Sequence, residues 1–118
     1  SLHASATGLA GFLDGITDGD GPLRALLGRE AHEEYLAPQA TGYDEVFGTE
    51  LTWTLGFLRD DAKIAKGGIG GSAVWRSLRH GHSCAYLTRR LDDHSRAAAI
   101  AAALGDDLSV VPVHSARA

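Results

Sequence analysis

At Leu51 the period of the chain changes, and this change constrains the fold more than any other feature. Leu51, Trp53, Leu55 and Phe57 alternate with Thr52, Thr54 and Gly56, the pattern of a half-buried strand. Three more extended runs follow: "KIAKGGI" (63–69), "SAVWRSL" (72–78) and "CAYLTRRL" (84–91). "RDDAK" marks a turn after the first run. "RHGH" (79–82) marks another, with Gly81 expected at positive φ. Upstream the spacing is helical. Leu9, Phe12, Leu13 and Ile16 fall at i, i+3, i+4 and i+7, with Ser5 placed to cap and "DGDGP" (18–22) to stop the helix.

"LRALLGREAHEEYLAP" predicts one or two short helices, broken near Gly28 and closed by Pro38. "QATGYDEVFGTE" reads as loop. "DDHSRAAAIAAALG" predicts a helix capped by Asp92 or Asp93 and stopped by Gly105. The expected organisation is one segment over 1–118: helical over 1–40, antiparallel strands over 50–91, a helix over 92–105 and a tail over 106–118. Strands grouped apart from helices indicate an α+β fold, with an antiparallel sheet of about three to four strands flanked by helices.

Composition narrows the function. The net charge of −4 disfavours nucleic acid, which selects basic surfaces. The longest apolar run, "AAAIAAAL", is too short to span a membrane. Cys84 is the lone cysteine, so no disulfide forms within the chain. Methionine is absent, initiator included, which fits a piece of something longer.

The stretch "AKGGIGGS" (65–72) needs a reason, because glycine loses the most backbone entropy on folding. Gly68, Gly70 and Ala73 fit G-x-G-x-x-G/A, but that fingerprint requires a helix next, and "SAVWRSLRHGH" reads as a strand and turn. No Gly-Lys-Ser/Thr follows, which excludes a Walker loop. A flexible connection between strands is the plain alternative.

A third reading comes from resemblance. "WTLGF", "AKGGIGGSAVW" and "CAYLTRRLDDHSRAAAIAAAL" together resemble the C-terminal part of the serine β-lactamase-like family. That family includes class C β-lactamases, D-alanyl-D-alanine carboxypeptidases and esterases of the same fold. Trp53, Leu55, Gly56 and Phe57 match a strand reading Trp-Gly-x-Gly-Phe. The run from Lys66 to Ser72 matches His-Ser-Gly-x-Gly-Gly-Ser, or Lys-Thr-Gly in the β-lactamases. Tyr86 and Arg89 match a third segment, and "HASATGLAGFLDGI" is similar to a helix carrying Ser-Ala-x-Asp-Leu-Ala.

The resemblance implies attack of a serine on an ester, amide or lactam carbonyl, through an acyl-enzyme. It implies Lys66 as the basic site residue and the Ile69 backbone N–H as one oxyanion-hole donor. Gly67, Gly68 and Gly70 would let an acyl group approach the strand, and Trp53 would line its pocket. It implies no cofactor and no metal. The other reading of Lys66 is a solvated edge lysine.

Two departures qualify the match. No serine has a lysine three residues on, and asparagine is absent, so Ser-x-x-Lys and Tyr-x-Asn are both missing. The chain is therefore expected to be inert alone. Its partner is expected to be the missing N-terminal part of a parent chain or another copy of itself, with a small ester or lactam as substrate of the intact enzyme. Gly67 stands where β-lactamases carry a carboxylate-binding hydroxyl, which favours an esterase- or lipase-like parent. The competing class is a truncated, non-catalytic module that binds a partner through its sheet. A fragment should expose apolar surface and unpaired strand edges; a self-sufficient module should cover them.

His80, His82 and Cys84 alternate and would share a strand face, a partial zinc ligand set without an evident fourth member. Turn histidines and a buried cysteine are the preferred account. Arg76, Arg79, Arg89 and Arg90 read as a solvated basic hairpin balanced by Asp92 and Asp93.

Overall fold

The computed structural model describes residues 2–112 and is α+β. Three helices come first: α1 (Ala6–Thr17), α2 (Pro22–Leu27) and α3 (Arg29–Leu36). Six strands follow: β1 (Ala40–Asp44), β2 (Thr49–Trp53), β3 (Leu58–Arg59), β4 (Lys63–Gly67), β5 (Ala73–Ser77) and β6 (His82–Tyr86). Helix α4 (Ser95–Ala103) comes last. The strands form one antiparallel meander in chain order, with β1 and β6 at its edges.

The sheet has more strands than expected for two local reasons. First, "QATGYDEVFGTE" is a hairpin rather than a loop. Asp44 Oδ1 accepts from the amides of Val46 and Phe47, and the Asp44 carbonyl accepts from Gly48. Thr41 and Thr52 pair their hydroxyls across β1 and β2 at 2.9 Å. β1 is mostly exposed, so it lacks the apolar alternation that betrays a strand. Second, the run from Leu51 to Phe57 is broken. Thr54 Oγ1 accepts from the amides of Gly56 and Phe57, and the Thr54 amide donates to the Phe57 carbonyl at 2.8 Å. That turn ends β2 at Trp53 and starts β3 at Leu58.

Helix α1 forms as its spacing predicts, with Ser5 Oγ accepting from the Gly8 amide at 3.0 Å. Leu13 and Ile16 are buried, whereas Phe12 is exposed. The helix covers the sheet face that carries Arg76 and Ser83. Arg76 is 86 % covered and forks to Asp14 at 2.5 Å and Asp18 at 2.6 Å, while Ser83 Oγ donates to Asp14. Arg76 is therefore a clamp between helix and sheet, not part of a solvated basic hairpin. Both carboxylates are over two-fifths exposed, so screening weakens the pair. Arg76→Ala should lower stability by about 1–2 kcal/mol in urea unfolding, and lysine should restore little, since it lacks the fork.

The opposite face carries the main core: Ala65, Ala73 and Trp75 under Ala97 and Ala101 of α4, closed by Leu108 and Val111. The segment after α4 is thus part of the core up to Val111 rather than a tail; the rest of the expected tail, 113–118, lies outside the described residues. The residue preceding α4 is His94, and Asp93 Oδ1 accepts from the Ser95 amide at 2.9 Å. The "RHGH" turn forms with Gly81 at φ +71°. No described helix is long and apolar enough to cross a membrane.

Candidate functional site

The glycine stretch divides at the end of β4. Lys66 and Gly67 lie in the strand, paired with Val74 and Ala73. Gly68, Ile69, Gly70 and Gly71 form the turn to β5, closed by the Gly68 amide donating to the Ser72 carbonyl at 2.9 Å. The extended run expected over 63–69 therefore ends at Gly67, and Gly68 and Ile69 belong to the turn.

Most of the space left by the glycines is filled by the chain itself. The segment entering α4 crosses the turn, with the Asp92 amide donating to the Gly70 carbonyl at 2.9 Å. A Cβ on Gly70 would lie 2.5 Å from Leu91, one on Gly71 would overlap the Asp93 carbonyl oxygen, and one on Gly67 would overlap Val111. At Gly68 the nearest atom would be 4.0 Å away, so this position stays open to a ligand.

Trp53, Lys66, Gly67, Gly68 and Ile69 border one apolar cleft of about 100 Å³, with Phe47, Leu58 and His94. Gly70 is not among its walls; it is buried beneath Leu91. The pleat assigns Lys66 to the face of Ile64 and Val74, and Gly67 to that of Ala65 and Trp75, so Lys66 meets the cleft at its edge. Lys66 is exposed and in no ion pair among the described residues. Ile69 is 78 % exposed, and among the described residues nothing accepts from its amide. The end of β4 thus offers a free N–H donor and a nearby cation, a pair suited to an oxygen that gains negative charge.

His94 was not visible as a site residue, because "DDHS" reads as an ordinary helix start. It is buried in the cleft wall, and neither ring nitrogen has a partner among the described residues.

A second cluster lies at the other end of β5. His82 begins β6 and His80 lies in the turn before it, their rings stacked with centroids 5.7 Å apart. Both point at Asp106, with His80 Nδ1 3.0 Å from Oδ1 and His82 Nε2 2.6 Å from Oδ2. Trp75 Nε1 donates to Asp106 Oδ2 at 2.9 Å. Burial alone would raise the Asp106 carboxyl, but hydrogen bonds from Trp75, His82, His80 and Ser77 outweigh it and hold it well below the usual carboxylate range. Burial, and then the Asp106 charge, push the Cys84 thiol up. Alternation grouped the histidines with Cys84; Asp106 joins them from beyond α4, a distance no local spacing reveals.

No family model, curated protein or solved structure matches this chain.

Proposed function

We propose that this chain is the C-terminal part of a β-lactamase-like serine hydrolase of esterase type, supplying the third motif and one oxyanion-hole donor. The observation that carries the reading is the Ile69 amide, without an acceptor among the described residues, beside open Gly68 and a Lys66 that has no ion pair among them. An amide fixed by a closed turn needs no reorganisation when charge develops on a carbonyl oxygen, and that makes such a donor effective. The nucleophilic serine and its lysine come from another polypeptide segment, the N-terminal part of a parent chain or a second copy.

Exposed apolar side chains support the fragment reading over a self-sufficient module. Phe12, Leu26, Val46, Leu55, Ile69 and Leu91 are all more than half exposed, and among the described residues the outer edges of β1 and β6 pair with nothing. The missing hydroxyl at position 67 favours esters over lactams with a carboxylate.

The test is amide-resolved NMR of the chain titrated with p-nitrophenyl butyrate and, separately, with a cephalosporin. The ester should shift the amides of Gly68 and Ile69 more than the cephalosporin does. A fluorophosphonate should leave the chain at its unmodified mass. Unmoved Gly68 and Ile69 amides at saturating ester would remove the oxyanion role, and larger shifts with the cephalosporin would remove the esterase assignment.

A further inference from the structure

We propose that His80, His82 and Asp106 form a site for a divalent transition metal of the zinc class, with solvent completing the coordination sphere. Two imidazoles and a carboxylate make a donor set suited to zinc, and each contributes one ligand atom, all within 4.8 Å of one another. Tetrahedral zinc with nitrogen and oxygen ligands separates its donors by about 3.3 Å. The present histidine–carboxylate separations of 2.6 and 3.0 Å are those of hydrogen bonds, so the metal takes the place of the two bridging protons; these two distances lengthen, and donor separations nearer 4.8 Å shorten.

The support around the donors is already built. The Asp106 carboxylate is 4 % exposed and fixed by the Trp75 indole N–H, an outer-shell contact of the kind that orients metal ligands. Its backbone is pinned by the Asp106 amide donating to the Ala101 carbonyl at 2.8 Å, after Gly105 turns the chain out of α4 at φ +77°. The His80 amide donates to Ser77 Oγ at 3.0 Å, which holds the turn. The histidine side chains are about one-third exposed, leaving an open side where water binds. Lys63 lines the adjoining groove, but it is committed to Asp60 at 2.6 Å. Cys84 is not a donor here: among the described residues, the ligand atoms close enough to share one ion are those of His80, His82 and Asp106.

Calorimetric titration of the metal-free chain with Zn²⁺, and with Co²⁺ followed by its visible absorption, tests the site. One metal per chain should bind, with a Co²⁺ spectrum typical of nitrogen and oxygen ligands and no thiolate charge-transfer band. His80→Ala and His82→Gln lie at the surface end of the cluster, and each removes a ligand, so each should weaken Zn²⁺ binding by more than the roughly tenfold to hundredfold that loss of an outer-shell partner costs. Cys84→Ser should leave affinity unchanged. Absence of saturable binding overturns the proposal, as does binding that both histidine variants retain or that Cys84→Ser abolishes.

Discussion

Trp75→Ala should lower the unfolding free energy by about 3–5 kcal/mol, a large part of what a domain of this size has. Trp75 is 0 % exposed and lies at the centre of the main core. Its neighbours Ala65, Ala73, Ala97 and Ala101 are small and fixed on strand or helix backbone, so they cannot swing in to fill the void. A cavity that cannot collapse carries the full penalty of lost contacts. The substitution also removes the indole donor from a buried carboxylate. Urea unfolding followed by far-ultraviolet circular dichroism measures the loss. Trp75→Phe separates the two effects: it keeps most of the packing and should lose only about 1–2 kcal/mol through the missing donor. A Trp75→Ala midpoint equal to that of the unaltered chain would mean the core does not centre there.

The second large effect is expected at Gly71. Its φ of +104° is a conformation that residues with a Cβ rarely adopt, and the position is buried against the Asp93 carbonyl. The obstacle is backbone, held by the hydrogen bond from Asp92 to Gly70, so it cannot rotate away as a side chain would. Strain and overlap together should make Gly71→Ala destabilising by about 2–4 kcal/mol. Gly68→Ala is the internal control. Its Cβ enters open space, and stability should change by less than about 0.5 kcal/mol. The same methyl should still hinder a ligand approaching the Ile69 amide. Thermal unfolding of the two variants side by side decides the matter. Equal melting temperatures would show that the crossing segment does not sit on Gly71. A Gly68→Ala variant that binds the ester unchanged would argue against the oxyanion role.

The contrast between these glycines shows what a sequence motif leaves open. The run from Lys66 to Ser72 marks a place where something must come close to the backbone, and the structure has close approach at Gly67, Gly70 and Gly71. The approaching groups there are the chain's own Val111, Leu91 and Asp93, which come from 21 to 44 positions downstream. Pattern reading does not see that distance, so it credited a substrate with space the protein fills itself. Only Gly68 and Ile69 keep an open approach.

Much of the fold was legible because its causes are local. Ser5 caps α1 three residues away, Gly81 takes the positive φ its turn needs, and the alanine body of α4 follows from helix propensity. The α+β class followed from the grouping of apolar periods. Strand β1 and the turn into β2 read as loop because Asp44 makes the turn and β1 is mostly exposed. The strand beginning at Leu51 was overextended because alternation continues through a turn that a single threonine hydroxyl closes.

The sequence by itself therefore determined the α+β class with helices first, strands next and a helix last, the positions of the Ser5 cap and several turns, and the absence of Ser-x-x-Lys and Tyr-x-Asn. Each depends on residues within about one turn of each other along the chain. Tertiary structure alone decided which glycines stay open, that Arg76 clamps α1, that His94 is buried without a partner among the described residues, and that Asp106 rather than Cys84 faces His80 and His82. Those outcomes depend on contacts between segments tens of residues apart, set by how α1, α4 and the segment to Val111 pack on the two faces of one sheet.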